Sequence, residues 1–476
     1  MDLLILNTWL MTLEGNSGLG VIRDGAIGVT NGRIVYVGLT KDLKGRNADL
    51  IIDGANKLTM PGLINAHTHT GLTLLRGAAQ DLPEIEWMTK GLRPISRHLS
   101  LDDLILGSKL GVLEGIRTGT TTFAEYSQSV GSIIREVYLP FHARVVGIET
   151  IHEVVSDRTR LGPTDLYEFD RELGEKALKR ANDVFREFGN NSLVSCMYGP
   201  QALDMISLGL LEEVQRQAIE RGCRFHMHIA QGERENIQIK GRYGETETTV
   251  SILSKYGFLS DSLVAAHIHA TNVAERKLMV ERGVHMVGCP SAISSIDGII
   301  PPIGHYIQLG GNAAVGSDQA PGTGHVNLFR EIRMNALLTK VLHQDPTAFP
   351  PWQSLELATI NGARVLGLEQ QIGSLKVGKA ADIITINLKE LEMTPLVFYP
   401  FNNFIPNLVY SMTGHEVNDV IIHGKIILKD KKFQLIDLQE ILGQATKRAQ
   451  EIFAEAADDW IGAGSKMVEY LQDGKL

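Results

Sequence analysis

The chain has 476 residues, of which 43% are apolar and 21% charged, as is ordinary for a soluble globular protein with a core of normal size. Its formal net charge of −9 argues against nonspecific binding to nucleic acid or anionic membranes, and no uncharged run reaches the ~20 apolar residues of a membrane span. The three widely spaced cysteines predict buried thiols in a reducing compartment, and the N-terminal run is typical of a strand rather than a signal peptide. We therefore predict a cytoplasmic protein.

Residues 1–60 are predicted to be all-β and to form the first half of a small β-sandwich domain. Turns rich in Gly, Asn and Asp separate the apolar runs LLILNTWL, GAIGVTNGRIVYVG and DLIIDG. The Asn31-Gly32 pair inside the second run predicts a hairpin, because a type I′ turn needs positive φ at both central residues.

From residue 61 the pattern changes to short apolar strands that alternate with helical stretches. The eight candidate strands are, in order, GLINAH, GTTTFAEY, ARVVGIE, SLVSCMYGP, RFHMHIA, LVAAHIH, VHMVGCP and AAVGSD. Alternation of strand and helix predicts βαβ units and a parallel sheet, and eight such units in about 310 residues fit a closed barrel. We therefore assign residues 61–371 to a (β/α)8 TIM barrel.

The C-terminal part returns to strand-like alternation from about Ile372, in GSLKVGKAADIITINL and EVNDVIIHGKIILKD. The pair His423-Gly424 in the second run is another hairpin signal. Residues 372–435 are predicted to complete the sheet begun by residues 1–60, which makes the barrel an insertion into one small domain. Residues 436–476 are predicted to form a C-terminal helical segment.

The strongest chemical signal is the pair His67 and His69 at the end of the first predicted barrel strand. Side chains at i and i+2 of a strand share one face, so the two imidazoles can bind one divalent ion. Three further strands end in metal-type residues, namely His228 at the fifth, His267 at the sixth and Asp318 at the eighth. Active sites of such barrels lie at the C-terminal strand ends, where these residues converge. The alternative of satisfied core histidines would have to hold at four places at once.

Three or four nitrogen and oxygen ligands with one position left for water are typical of catalytic Zn²⁺, although imidazole also suits iron. A bound divalent ion lowers the pKa of water to ~7. Asp318 would approach the metal and accept a proton from that water, and His267 would ligate or polarise the leaving group. Trp87 either walls the pocket or packs under the first loop. Glu125 either faces the same rim or is a buried, hydrogen-bonded acid.

Several segments together resemble the amidohydrolase superfamily, in particular the branch of 5-methylthioadenosine/S-adenosylhomocysteine deaminases and triazine hydrolases. The segments are PGLINAHTHT, LLRGAAQDLPEIEWM, GTTTFAEY, HMHIA, AAH, GSDQAPG and IGSLKVGKAADI, which span nearly the whole chain. The resemblance implies that Asp318 is both ligand and general base and that His267 lies near the metal and its water. It implies a zinc ion bound by His67, His69 and His228.

The resemblance also bears on the substrate. Glu86 looks like the glutamate that binds a ribose hydroxyl in the nucleoside deaminases. At two positions the chain differs from those deaminases: Gln201 replaces a His, and Gln231 replaces a Glu that passes a proton to the substrate ring. An amide donates a hydrogen bond but supplies no proton at neutral pH. Either another group takes this role, with Glu233 and Glu235 nearby in sequence and His269 as a further candidate, or the substrate needs less proton assistance.

We predict a hydrolase of non-peptide carbon–nitrogen bonds that deaminates an amino-substituted N-heterocycle, either an adenosine-type nucleoside or a purine, pterin or triazine. Asp318 would carry the water proton to the departing ammonia, and His267 would stabilise the tetrahedral intermediate. The predicted substrate contacts are Glu86, Trp87, Gln201 and Gln231.

Two alternatives stay open. The first is a hydrolase that releases halide or alkylamine from a triazine or opens a cyclic amide; Gln231 suits it, because chloride leaves without protonation. The second is a metal-binding protein without turnover. In each case the expected partner is a small molecule rather than nucleic acid or a membrane. The resemblance further implies a homo-oligomer.

Overall fold

The computed structural model describes residues 1–15, 18–45, 47–155 and 165–476. Its N-terminal strands are β1 (Leu3–Met11), β2 (Val21–Thr30), β3 (Arg33–Leu39), β4 (Leu50–Asp53) and β5 (Lys57–Pro61). Between β2 and β3, Asn31 and Gly32 have φ values of 49° and 72°, which confirms the predicted hairpin.

All eight predicted barrel strands are present and pair in chain order as one parallel sheet. They are β6 (Leu63–Thr68), β7 (Thr120–Ser127), β8 (Arg144–Ile151), β9 (Val194–Pro200), β10 (Phe225–Ile229), β11 (Leu263–His267), β12 (His285–Gly288) and β13 (Asn312–Val315). Strands such as β8 and β11 are buried at every position, as expected where helices cover the outer face and side chains fill the interior. The predicted barrel is confirmed.

The barrel closes where β13 meets β6. The backbone N–H of Asp318 donates to the carbonyl of His67 at 3.0 Å, and the N–H of His69 donates to the carbonyl of Asp318 at 3.2 Å. The side-chain amide of Asn65 donates to the Ser317 hydroxyl at 2.8 Å just below. Closure of the barrel therefore brings Asp318 against the two histidines of β6, although they lie far apart in the sequence.

Helices connect the barrel strands and continue beyond them. Those up to the seventh strand are α1 (Glu84–Glu86), α2 (Arg93–Ser96), α3 (Leu101–Arg117), α4 (Val130–Ile133), α5 (Arg171–Phe188), α6 (Leu208–Glu220), α7 (Glu233–Tyr243), α8 (Thr249–Lys255) and α9 (Val273–Glu281). Those after it are α10 (Pro290–Ile296), α11 (Ile303–Gln308), α12 (Ala320–Thr323), α13 (Leu328–His343), α14 (Pro351–Leu357), α15 (Ile360–Val365), α16 (Phe404–Tyr410), α17 (Leu438–Glu455), α18 (Ala457–Ala463) and α19 (Lys466–Gln472). In the described part of the chain, no helix combines the length and hydropathy needed to cross a membrane.

The two ends of the chain form a second sheet of nine strands, separate from the barrel. The C-terminal strands are β14 (Ile383–Asn387), β15 (Val417–Ile422), β16 (Lys425–Lys429) and β17 (Lys432–Phe433). The halves meet where β14 pairs antiparallel with β5, with Ile383 opposite Pro61. The predicted insertion of the barrel between two halves of one small β unit is thus confirmed, while the boundaries at residues 60, 371 and 435 remain our proposal.

The predicted strand GSLKVG is not formed. Residues 373–379 make turns instead, and Gly373 and Gly378 have φ values of 88° and 95°. Such left-handed conformations are open to glycine and interrupt a strand. The predicted terminal helix is likewise divided at Ala456, between α17 and α18.

Candidate active site

Imidazole and carboxylate groups from distant segments meet above the C-terminal ends of the barrel strands. Oδ1 of Asp318 lies 3.8 Å from Nε2 of His67 and 3.5 Å from Nε2 of His69. Two ligand atoms on a tetrahedral ion, each at about 2.1 Å from it, lie roughly 3.4 Å apart. The ring centroid of His228 is 4.9 Å from that of His67, and His267 is 5.3 Å from His228. The five predicted metal-site residues therefore form two groups that share His67, one with His69 and Asp318 and one with His228 and His267, and within each group the ligand atoms lie within 4.8 Å of one another.

Backbone carbonyls orient two of the rings. The carbonyl of Tyr126 lies 2.6 Å from Nδ1 of His69, and the carbonyl of Gln201 lies 2.8 Å from Nδ1 of His228. A carbonyl only accepts, so each Nδ1 carries the proton and each Nε2 keeps a lone pair directed toward the common point. Gln201 thus helps to orient His228 through its backbone carbonyl.

The donor set fits a divalent ion. Neither ring nitrogen of the fully buried His67 has a hydrogen-bond partner among the described residues, which is costly unless something else satisfies it. Burial lowers the pKa of His69 to about 4, and burial together with neighbouring histidines lowers the pKa values of His67 and His228 well below 6.5. These imidazoles are neutral at neutral pH, which is the form that binds a metal.

The backbone is left-handed at the two strand ends that carry His267 and Asp318. His267 has a φ of 77° and Asp318 a φ of 57°, and neither is glycine. Such conformations cost on the order of 1–3 kcal/mol and persist where the surroundings enforce them, as at functional sites. Here the two hydrogen bonds to β6 hold Asp318 in place.

The carboxyl group of Asp318 lies in an environment suited to proton transfer. Burial and the negative charge of Asp297 raise the pKa of Asp318 to about 7. A general base works best when its pKa is near the working pH. A carboxylate has two oxygens, so Asp318 can hold a cation through one and accept a proton from water through the other.

A cavity of about 400 Å³ opens directly above this cluster, which is the size of a small-molecule site. Trp87 lines it and also packs in a buried cluster with Ala79 and Leu82 of the loop after β6, so both of its predicted placements describe its position. The predicted site residues that line the cavity are His69, Trp87, Gln201, His228, Gln231, His267 and Asp318.

Gln231 also lines this cavity. Its amide Nε2 is buried and has no hydrogen-bond partner in the described part of the chain, while its backbone N–H donates to Oε2 of Glu235 at 2.8 Å. Glu235 is fully buried and also accepts from the Thr249 hydroxyl, and Glu233 is exposed at the start of α7. Neither glutamate lines the cavity, so neither replaces the acid that Gln231 lacks.

Glu86 is not in the cavity, contrary to the position that we predicted. Its carboxylate is 41% exposed and lies 3.6 Å from Nζ of Lys90, whereas Glu84 lines the cavity together with Trp87. The physical reason is the helix that begins at Glu84: residues three apart share a helix face, and residues two apart do not. Glu84 and Trp87 therefore face inward while Glu86 faces solvent.

Glu125 is a buried, hydrogen-bonded acid and lies outside the cavity. Its carboxylate accepts from the Thr70 hydroxyl at 2.5 Å and from the Tyr138 hydroxyl at 2.7 Å. Of the two placements left open by the sequence, the structural one is correct.

The polar residues that line the cavity without having been selected by the sequence analysis include two acids and a histidine, Glu84, Asp297 and His152. His152 directly follows β8, so the strand-end signal that identified the other histidines would have found it. Glu84 and Asp297 lie in connecting segments without a spacing signature.

The sequence profile of the amidohydrolase family matches residues 58–427 of this chain, which is most of its length. The chain belongs to the amidohydrolase family. Among similar proteins, this amidohydrolase is 33% identical over 431 residues to 5-methylthioadenosine/S-adenosylhomocysteine deaminase of Moorella thermoacetica, covering 90% of this chain and 95% of the relative. It is 32% identical over 456 residues to 5′-deoxyadenosine deaminase of Methanosarcina mazei, covering 95% and 99%.

Solved structures agree with this assignment. The amidohydrolase superposes on a zinc-bound adenosine deaminase from Xanthomonas campestris with a TM-score of 0.86 and 27% identity, covering 95% of this chain and 99% of that one. Atrazine chlorohydrolase from Arthrobacter aurescens, in complex with zinc, gives 0.83 at 20% identity, covering 94% and 100%, and supports the fold. The predicted family is confirmed: the chain is an amidohydrolase, and the relatives named above, which it matches over most of their length, are deaminases. The histidine and aspartate cluster supports a divalent metal.

Proposed function

We propose that this amidohydrolase deaminates adenosine-type nucleosides through a zinc ion held by His67, His69, His228 and Asp318. One observation carries the proposal: His67 belongs to two groups of candidate ligands, one with His69 and Asp318 and the other with His228 and His267, and within each group the ligand atoms lie within 4.8 Å of one another. His69, His228 and Asp318 also line the cavity of about 400 Å³. The relatives named above, which are deaminases of 5-methylthioadenosine, S-adenosylhomocysteine and 5′-deoxyadenosine, support the substrate class. Nitrogen and oxygen donors around a tetrahedral point favour zinc, with iron as the other metal that imidazole suits.

The chain's own residues then move the protons. When bound, a zinc ion supplies a water molecule with a pKa of ~7. Asp318 accepts a proton from this water and later gives it to the exocyclic nitrogen, which leaves as ammonia. His267 lines the cavity beside His228, and its Nδ1 has no hydrogen-bond partner among the described residues. In our proposal its imidazole stabilises the oxygen that becomes the product carbonyl.

The opposite side of the cavity positions the substrate. Trp87 offers a flat apolar wall for the heterocycle, and the free amide of Gln231 donates a hydrogen bond to a ring acceptor. Glu84 accepts from a ribose hydroxyl, in the role that we had predicted for Glu86. Gln201 lines the cavity next to His228 and contacts the substrate there in our proposal.

A second candidate, removal of chloride or alkylamine from a triazine, rests on Gln231. An amide at this position is compatible with a leaving group that departs without a proton. Opening of a cyclic amide belongs to the same alternative. The nucleoside reading is preferred because the relatives at 30% identity or more that we compared are deaminases.

One panel of substrates distinguishes the two candidate activities from each other and from a metal-binding protein without turnover. The zinc-loaded protein is incubated with 5′-methylthioadenosine, S-adenosylhomocysteine, 5′-deoxyadenosine, adenosine and atrazine, and ammonia and chloride are both measured. We expect ammonia from at least one nucleoside and its loss after chelation. Chloride release alone would favour the triazine reaction, and no product from any compound would overturn both.

We also propose the cytoplasm as the location, supported by three free cysteines of which Cys196 and Cys289 are buried. A small molecule is the partner that the cavity supports. The homo-oligomer stays a prediction.

A further inference from the structure

Deamination of an amidine carbon places a second demand on the site, beyond activation of water. When the new carbon–oxygen bond forms, the electron pair of the ring C=N bond moves to the ring nitrogen, which must gain a proton. Gln231 faces the cavity at this side, but an amide cannot supply a proton at neutral pH. A group that carries a transferable proton must therefore face the ring, provided that the proposed deamination is correct.

Asp297 is placed to do this. It follows α10, lines the same cavity as Gln231 and Asp318, and its Oδ2 lies 3.7 Å from Nε2 of His269. A methyl group on Gly232, the residue next to Gln231, would lie 3.5 Å from Oδ1 of Asp297. The carboxyl group thus lies beside Gly232 and shares the cavity with Gln231, where it can reach a bound heterocycle.

The charges that face Asp297 favour its protonated form. Glu84 is a neighbouring acid: the same methyl position on Gly232 lies 2.5 Å from its Oε2, and its charge acts on Asp297. Arg234 is the nearby cation, but its guanidinium is bound to Asp204 and lies 3.5 Å from Oε1 of Glu84. The remaining groups around Asp297 are the imidazole of His269 and the carboxyl of Asp318. Burial and the charge of Glu84 raise the pKa of Asp297 to about 7, so it holds a proton for much of the time at neutral pH.

We propose that Asp297 is the catalytic acid that protonates the ring nitrogen, and that Glu84 is the positioning residue that keeps the proton on it. Asp297 gives its proton to the ring nitrogen as water oxygen bonds to the carbon and Asp318 takes the water proton. Asp318 then passes that proton to the amino group, the carbon–nitrogen bond breaks and ammonia leaves. The remaining hydroxyl proton returns to Asp297 as the carbonyl forms. Water and substrate thus give ammonia and the lactam, with both acids restored.

The test compares pH profiles of zinc-loaded variants on the best nucleoside of the panel, from about pH 5 to about pH 9. In the wild type we expect kcat/KM to fall above about pH 7, where Asp297 loses its proton. Asp297→Asn should lower kcat by about 10²-fold and abolish this alkaline limb. Asp297→Glu should restore part of the rate and the limb itself.

Glu84→Gln gives an independent readout that a merely structural role would not produce. Removal of the neighbouring negative charge lowers the pKa of Asp297, so the alkaline limb should move to lower pH. Glu233→Gln, an exposed acid outside the cavity, is the matched control and should leave the profile unchanged. Zinc content and thermal unfolding of each variant verify that the fold is intact.

The outcomes separate the two proposals. An active wild type next to an Asp297→Asn variant that keeps its rate and its alkaline limb would overturn the role of Asp297 alone. If the alkaline limb of the pH profile lies at the same pH in Glu84→Gln as in the wild type, the role of Glu84 is overturned. A wild type that releases no ammonia from any nucleoside would overturn the proposed function, and this inference with it.

Discussion

The two sides of the active site are built in different ways. On the metal side, residues at strand ends are fixed by the barrel ladder and by backbone carbonyls, as when the Gln201 carbonyl orients His228. On the substrate side, residues come from loops and helix starts, and a buried charge network of Arg234, Asp204 and Glu84 holds them. Where backbone groups fix the geometry of a site, most side-chain substitutions outside the ligands leave that geometry unchanged. Where ion pairs fix it, the geometry depends on every member of the network.

The largest expected effect lies on the metal side. Asp318→Asn removes both a negatively charged ligand and the proton acceptor, so kcat/KM should fall by about 10⁴-fold, the upper end for a lost general base. Steady-state kinetics with parallel zinc analysis measures this. Asp345→Asn, a change of the same type on the surface, should have no effect. An Asp318→Asn variant within tenfold of wild type would show that the metal side is not built around this carboxylate.

The next effect lies on the substrate side and concerns stability. Arg234→Met leaves the fully buried Asp204 without its cation, and breaking a buried pair in this way costs about 3–5 kcal/mol. Urea unfolding should show this loss, while zinc content stays at the wild-type level. Arg216→Met disrupts exposed ion pairs on α6 and should cost less than about 1 kcal/mol. Loss of zinc in Arg234→Met would mean that the two sides are not independent.

A smaller effect distinguishes the two glutamates at the start of α1. Glu84→Gln weakens a charge-assisted hydrogen bond to the substrate, so KM should rise by about tenfold. Glu86→Gln should leave KM unchanged, because this side chain faces solvent beside Lys90. A rise in KM for Glu86→Gln alone would restore the placement that we first predicted from the sequence.

The smallest effect is expected for Gln201→Ala. The group that orients His228 is the backbone carbonyl of residue 201, which alanine retains. Zinc affinity should stay within about threefold of wild type, whereas loss of a side-chain partner to a metal ligand usually costs about 10–100-fold. A chelator competition assay decides between these, and a loss of 10-fold or more would show that the side chain itself supports the metal.

The difference between residues at strand ends and residues in loops also explains which parts of the site the sequence could predict. In a strand, the spacing of two residues in the sequence determines whether their side chains share a face, so His67 and His69 could be assigned to one face. The order of the strands in the barrel further predicted that Asp318 lies close to both histidines. No comparable rule applies to loops. Glu86 was assigned to the substrate site from the resemblance to the nucleoside deaminases, which does not fix where α1 starts, and a shift of two residues reverses the face of a helix. Asp297 reaches the cavity only through the turn after α10.

One titration tests the central claim most directly. The protein is freed of metal with a chelator, zinc is added back in steps, and ammonia release from the best nucleoside is measured at each step. The account predicts that activity rises in proportion to bound zinc and saturates at about one ion per chain. Full ammonia release from protein that holds almost no metal would contradict it.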